Sequence, residues 1–285
     1  MAHVLVTGAA SGIGRAVAGE FASAAAEGPG TVLTLVDVDE ERLEAVADQF
    51  DTAQVCVDLA EADGPERAVR RAWESVGEID VLVNAAGVYP SLDMIDLDAD
   101  AWDRVFALNT RAPALATAAL ARRAVAASRP ASVVNISSGA ALRARPGGGP
   151  YASSKAALEM ATRAAALELG PHGIRVNAVS PGFVPVDSSC NPVAPEYAAA
   201  VSANPLGRPG TPADIARAVR WIAGPDAAWI TGEVLRVDGG SGTGASHLPR
   251  LWPPDPAPGG AQGDGGRGES GGTSDSGNTT EGSAT

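Results

Sequence analysis

Along residues 1–242, short runs of Val, Ile and Leu alternate with longer stretches in which Ala, Arg and Glu mix. The runs are "HVLVTG", "TVLTLVD", "AQVCVDL", "DVLVNAAG", "ASVVNISS", "IRVNAVSPG" and "EVLRVDGG". Each closes on or beside Gly, Ser, Asn or Asp. Near-continuous aliphatic runs are the pattern of parallel strands covered on both faces. The intervening stretches, among them 65–76, 100–128 and 151–169, carry helical patterning. This alternation predicts an α/β fold: one doubly wound, seven-stranded parallel sheet with helices on both faces. The single long irregular stretch, 181–205, holds several prolines and has the length of a functional lid.

The alternation stops near residue 243. From there the chain is rich in Gly, Ser, Thr and Pro and poor in apolar residues, too poor to offset the entropy of ordering. The expectation is one folded domain over 1–242 and a disordered tail over 243–285. A net charge of −13 argues against nucleic acid or an anionic membrane as a partner. Two cysteines, Cys56 and Cys190, are too few for a disulfide framework or a zinc cluster, and Cys56 in its apolar run is expected to be a buried thiol. The three histidines, His3, His172 and His247, are isolated in sequence, and no metal is expected. The chain starts without a signal-peptide pattern, and no apolar run nears the roughly 20 residues of a membrane span. Cytoplasm is the expected location.

"TGAASGIG", residues 7–14, follows the first strand and opens a helix. Glycines there permit a tight turn and close approach of a pyrophosphate, and the helix start supplies N–H groups and the positive end of a dipole. By itself the stretch could be only a tight strand-to-helix turn; its place after the first strand makes a dinucleotide site of a Rossmann-type sheet the expectation. Asp37 ends the second strand, where its carboxylate accepts hydrogen bonds from an adenosine ribose diol and repels a 2′-phosphate. With Ser11 rather than a basic residue before Gly12, the cofactor expected is NAD, with NADP disfavoured. Asp58, ending the third strand, either meets the adenine edge or caps the next segment.

Tyr151 and Lys155 stand four residues apart on a predicted helix and so share a face. A phenol has a pKa of about 10, and a neighbouring ammonium favours its phenolate. Ser138 closes "VVNISS", where a hydroxyl can hydrogen-bond a substrate carbonyl. Asn109 lies within the predicted helix 100–128, and Pro113 lacks the N–H that would bond the Asn109 carbonyl. That carbonyl is left for a water.

The ordered set "TGAASGIG", Asp37, Asp58, "NAAG" at 84–87, Asn109, Ser138, Tyr151, Lys155, "SPG" at 180–182 and "VDGG" at 237–240 resembles the short-chain dehydrogenase/reductase family in its single-domain form. The resemblance spans residues 3–242. It implies that Tyr151 is the general acid/base, that Lys155 holds the nicotinamide ribose and lowers the tyrosine pKa, that Ser138 orients the carbonyl, and that Asn109 supports a water leading to Lys155. It places Gly8, Ser11, Gly12, Ile13, Gly14, Asp37, Asp58, Leu59, Asn84, Ala85, Gly87, Tyr151, Lys155, Pro181, Gly182 and Val184 at the cofactor. Ser138, Leu142 and Tyr151 are placed at the substrate. Val186 departs from the family, which often has Thr there to meet the nicotinamide carboxamide. Tyr89 and Ala140 are expected beside the substrate, and Arg143 and Arg145 either bind an anionic substrate or sit at the surface.

The implied activity is NAD-dependent hydride transfer between nicotinamide and a secondary alcohol or ketone. The alternative is a non-catalytic dinucleotide-binding redox sensor or scaffold. Family members are homodimers or homotetramers built on two long helices, here 100–128 and 151–169.

Overall fold

The computed structural model describes residues 2–27, 30–186, 196, 198 and 204–244. The lid expected over 181–205 and the tail expected from 243 lie largely outside these residues. Seven strands form one parallel sheet in the order β3-β2-β1-β4-β5-β6-β7. They are β1 (Ala2–Thr7), β2 (Thr31–Asp37), β3 (Ala53–Cys56), β4 (Val81–Asn84), β5 (Ala131–Ile136), β6 (Ile174–Pro181) and β7 (Val234–Val237). The helices are α1 (Gly12–Glu27), α2 (Glu40–Phe50), α3 (Gly64–Val76), α4 (Ala99–Phe106), α5 (Ala112–Ala126), α6 (Gly149–Leu169) and α7 (Pro212–Ala223). All seven expected strands are present.

Alternate strand residues feed two cores. Val4 and Val6 of β1 pack with Val17 and Phe21 of α1, Leu43 of α2 and Ile215 and Val219 of α7. Leu5 points the other way, toward Val69 of α3, Leu120 of α5 and Ala166 of α6. Leu5, Leu35 and Leu82 are fully buried, each contributing roughly 2 kcal/mol by the area removed from water. The chain starts at the middle of the sheet, runs outward to β3, then crosses to β4 on the other side of β1. That reversal opens a crevice at the carboxyl ends of β1 and β4, where ligands of open α/β sheets bind.

Two expectations are corrected. Cys56 is exposed, because β3 is a four-residue edge strand on which only Val55 turns into the core. The apolar run around it looked central but is bordered by strand on one side only. The stretch 100–128 is also not one α-helix: residues Ala107–Arg111 form a π-helical turn between α4 and α5. There the Ala112 N–H reaches back to the Ala107 carbonyl, and Pro113 follows with no N–H to restore the tighter ladder.

Near the amino end of β1, the buried His3 ring lies between Thr34 Oγ1 at 2.9 Å and the Gly77 carbonyl at 3.1 Å. Its backbone N–H donates to Asp80 Oδ2. Burial lowers its pKa, against the opposing pull of the Gly77 and Glu78 carbonyls and the Asp80 charge. The fold therefore keeps the ring neutral where the unfolded chain takes up a proton. This stabilisation is complete above pH 6.5. It is lost as pH falls below that value, at no more than about 1.4 kcal/mol per pH unit for one proton. Urea midpoints at about pH 7.5 and about pH 5.5 are expected to differ less in His3→Gln than in the native protein. Equal differences would show that His3 carries none of the acid sensitivity.

Candidate active site

The glycine loop is shaped by contacts that exclude side chains. Gly8 leaves β1 at φ +67 and lies so near Ala86 that a Cβ would stand 2.7 Å from its Cα. A Cβ on Gly14 would stand 2.0 Å from the Gly8 carbonyl oxygen. Gly12 turns at φ +53 to begin α1. The first helical bond runs from Arg15 N–H to the Ser11 carbonyl at 3.1 Å, so the N–H groups of Gly12, Ile13 and Gly14 stand ahead of the helical ladder. Thr7, at the end of β1, accepts from the N–H groups of Ala85 and Ala86 and so pins the loops after β1 and β4 together.

Asp37 borders this loop: one carboxylate oxygen accepts from Ala10 N–H at 3.0 Å, the other from Val38 N–H at 2.8 Å and Asp39 N–H at 3.2 Å. Asp58 caps the turn that follows it, accepting from Ala60 N–H, and the Leu59 side chain is in the core. Asn84 ends β4. Its amide is buried and donates to Asn135 Oδ1 at 2.9 Å, beneath the crevice. Ala85 and Gly87 form the rim. Val186 reaches over the loop, 3.4 Å from the space a Gly12 side chain would take.

On α6, Tyr151 and Lys155 share a face, with Lys155 Nζ 5.9 Å from the tyrosine ring centre. Ser138, just past β5, stands beside the Tyr151 hydroxyl and acts to lower its pKa. Burial pushes the Tyr151 pKa above its usual value, while Ser138 and the Arg145 charge pull it down. Lys155 is itself buried, and burial pushes its pKa down to about 8. Its Nζ donates to the Ile136 carbonyl at 2.8 Å.

Asn109 sits in the π-helical turn with its side chain fully engaged. Its Oδ1 accepts from Val88 N–H at 2.9 Å, and its Nδ2 donates to the Val88 carbonyl at 2.7 Å and to Ser154 Oγ at 3.1 Å. The wider turn is what lets this amide clamp the loop after β4 against α6. Gly87 keeps the gap open, since a Cβ there would lie 3.1 Å from Asn109 Oδ1 and 3.5 Å from Lys155 Nζ.

Around Tyr151 the rim holds Tyr89, whose ring centre is 5.9 Å from that of Tyr151, and Arg145. Leu142 is exposed on the loop after Ser138. Pro181 ends β6, the Gly182 N–H donates to the Val237 carbonyl, and Val184 packs against the core. A side chain on Gly182 would collide with Asp238 Cα at 2.8 Å.

Several positioning residues escaped the sequence reading. Thr7, Ser154, Asn135 and Thr162 are small polar residues in apolar runs. Asn84, Asn135 and Thr162 form a buried hydrogen-bonded chain from β4 through β5 to α6. The buried Glu159 accepts from Ser137 Oγ at 2.8 Å, next to Ser138. A polar residue every four positions along α6, at 151, 155 and 159, was the one available signal.

The donor set fits a nicotinamide dinucleotide. The loop offers helix-start N–H groups to a pyrophosphate, and Asp37 offers an acceptor for a diol. Lys155 is a buried ammonium whose one acceptor among the described residues is the Ile136 carbonyl. An ammonium has three donors, so the remaining ones suit ribose hydroxyls. Tyr151 and Ser138 then present two hydroxyls to one oxygen atom.

Comparison with known proteins agrees with this geometry. The family profile described as Enoyl-(Acyl carrier protein) reductase matches residues 8–242. The chain is 32% identical over 243 residues to the 3-oxoacyl-[acyl-carrier-protein] reductase FabG of Thermotoga maritima, covering 83% of this chain and 96% of that protein. A solved structure described as a short chain dehydrogenase/reductase family protein superposes with a TM-score of 0.72 at 34% identity, covering 85% of this chain and 97% of the other. A blue fluorescent protein from a metagenomic library, solved in complex with NADPH, superposes with a TM-score of 0.75 at 32% identity, covering 84% and 97%. The chain belongs to the short-chain dehydrogenase/reductase family.

Proposed function

We propose that the protein is an NAD-dependent oxidoreductase acting on a secondary alcohol or ketone, with Tyr151 as general acid/base. The observation that carries this reading is the Tyr151 hydroxyl beside Ser138, with buried Lys155 one turn along the same helix face. A bound nicotinamide dinucleotide supplies the hydride acceptor or donor. The backbone of Gly8, Ser11, Gly12, Ile13 and Gly14 holds its pyrophosphate, and Asp37 accepts from its adenosine ribose. Asp58 and the Leu59 backbone border the adenine. Ala85, Gly87, Pro181, Gly182 and Val184 line the remaining length, and Lys155 donates to the nicotinamide ribose.

In the reductive direction the substrate carbonyl oxygen accepts from Ser138 Oγ and from the Tyr151 hydroxyl. Tyr151 releases its proton to that oxygen as negative charge develops there. Ser138 keeps its hydrogen bond to the same oxygen, which favours the transition state over the ground state. The Asn109 carbonyl, in the π-helical turn ahead of Pro113, holds the water that returns a proton toward Lys155. Oxidation of an alcohol runs the same steps in reverse.

NAD preference rests on Asp37 and its surroundings. Val38, Asp39, Glu40 and Glu41 follow it without a basic residue, and Arg42 is paired with Asp39 at 3.4 Å. A 2′-phosphate here meets like charge, worth about 2 kcal/mol or about 30-fold in affinity. The solved relative with NADPH makes this a point to test. The reduced nicotinamide band, followed with NAD and NADP, is expected to show kcat/KM favouring NAD by about 30-fold or more, and Asp37→Ser is expected to narrow the gap to within about 3-fold. NADP preference in the native chain would overturn the assignment of Asp37.

The exposed Leu115 and Val125 of α5 and Met160 and Leu167 of α6 support a homodimer or homotetramer built on these helices. Among the described residues no helix is long and apolar enough to cross a membrane.

A further inference from the structure

The loop between β5 and α6 places a second charge beside Tyr151. The Arg145 guanidinium carbon lies 5.8 Å from the centre of the Tyr151 ring. This distance is within the range of a cation held at an aromatic face. The place is built for it. Gly148 is buried, and a Cβ there would stand 2.7 Å from Arg145 Cγ and 3.0 Å from its Nε. Only glycine at 148 leaves the arginine stem room to fold back toward the tyrosine. The turn is closed by Gly148 N–H donating to the Arg145 carbonyl at 3.1 Å. Gly147 adopts φ +70, where a side chain would also meet Ser91 Oγ at 2.4 Å. Neighbouring Arg143 points to the chain after β7, its Nη2 donating to the Ser241 carbonyl at 3.0 Å. In a chain of net charge −13, Arg145 puts a positive group beside the Tyr151 ring.

We propose that Arg145 is a specificity-determining residue, and that the substrate is a ketone or secondary alcohol carrying a carboxylate a few bonds from the reacting carbon. The proposal rests on the oxidoreductase reading above, because it takes the Tyr151 hydroxyl as the point that fixes the substrate oxygen. A guanidinium presents a planar fork that matches a carboxylate with two parallel hydrogen bonds. With one substrate oxygen at Tyr151 and Ser138, a carboxylate a few bonds away reaches a cation that stands 5.8 Å from the tyrosine ring.

The test pairs each acid with its own uncharged form. Pyruvate, acetoacetate and levulinate are assayed beside their methyl esters, with reduced dinucleotide, in the native protein, Arg145→Gln and Arg145→Lys. The native protein is expected to favour the acid of at least one pair by about 10-fold or more in kcat/KM. Arg145→Gln is expected to remove that preference by about 10- to 100-fold, through KM, because a charge-assisted pair is lost. The ester is expected to lose less than the acid, since Arg145 also bears on the Tyr151 pKa; an unchanged Tm shows that the variant is folded, and Arg145→Lys is expected to fall between. Equal loss on acid and ester in Arg145→Gln, or no acid preference in any native pair, would overturn the proposal.

A titration of the same acids into dinucleotide-loaded protein separates this from the oxidoreductase reading. Acid binding that Arg145→Gln abolishes while no ketone is turned over would sustain Arg145 and sink the oxidoreductase reading. Acid binding untouched by Arg145→Gln would sink the assignment of Arg145 even if turnover is robust.

Discussion

Tyr151→Phe is expected to lower kcat by about 10³-fold or more while leaving the dinucleotide Kd within about 3-fold. The change removes one oxygen atom and keeps the ring, so packing against Tyr89, 5.9 Å away between ring centres, persists. Ser138 still donates a hydrogen bond to the substrate oxygen, but an aliphatic hydroxyl is far too weak an acid to complete the transfer. Burial raises the Tyr151 pKa against the pulls of Ser138 and Arg145, so in the protein as described the phenol holds its proton at neutral pH. It is then ready to act as an acid toward a carbonyl, and ketone reduction should weaken as alkaline pH strips that proton. Lys155, pushed down to about 8, loses its charge in the same direction. Steady-state rates and fluorescence titration of the dinucleotide on the same samples check both parts. A kcat within about 10-fold of native would remove Tyr151 from the role of proton donor.

Gly14→Ala is expected to lose dinucleotide binding by at least about 100-fold and to lower Tm by about 6–12 °C. A Cβ at this position would stand 2.0 Å from the Gly8 carbonyl oxygen. Both atoms belong to backbone held by β1 and α1, so no side chain can swing aside. Overpacking against fixed backbone costs on the order of 3 kcal/mol, and the strand-to-helix turn must open to relieve it. Gly77→Ala is the informative control: a Cβ there meets nothing within 4 Å, although its φ of +114 is strained for alanine. It is expected to cost about 1 kcal/mol and to leave dinucleotide binding unchanged. If Gly14→Ala behaves like Gly77→Ala in both calorimetry and titration, the close approach of helix to strand is not what shapes the loop.

The seven strands were legible because parallel strands covered on both faces must be apolar throughout, and few other structures need such runs. The same feature misled at Cys56. An apolar run does not say whether it lies at the centre or the edge of a sheet, and β3 lies at the edge. The π-helical turn at Ala107–Arg111 left one mark in the sequence, Pro113, which signals a missing hydrogen bond without saying how the chain absorbs it. The Tyr151–Lys155 spacing established proximity but not sign. Whether burial or a neighbouring charge dominates depends on what packs around the phenol, and the pull came from Ser138 and Arg145. The motif spacing around Asn84 also did not show that its amide joins the buried chain to Asn135 and Thr162. Arg143 and Arg145 were indistinguishable in sequence. Only the fold shows one bonded to the Ser241 carbonyl and the other seated by the tyrosine, in space that Gly148 leaves.

The central claim is hydride transfer at Tyr151, and isotope transfer tests it most directly. Secondary alcohols deuterated at the carbinol carbon, including hydroxy acids, are incubated with the full chain and NAD, and the reduced dinucleotide is weighed by mass spectrometry. The expected result is reduced dinucleotide carrying the deuterium from the native protein and none from Tyr151→Phe. Dinucleotide bound by the native protein, with no label transferred from any alcohol or returned to any ketone in the reverse reaction, would contradict the account and leave a binding protein in place of an enzyme.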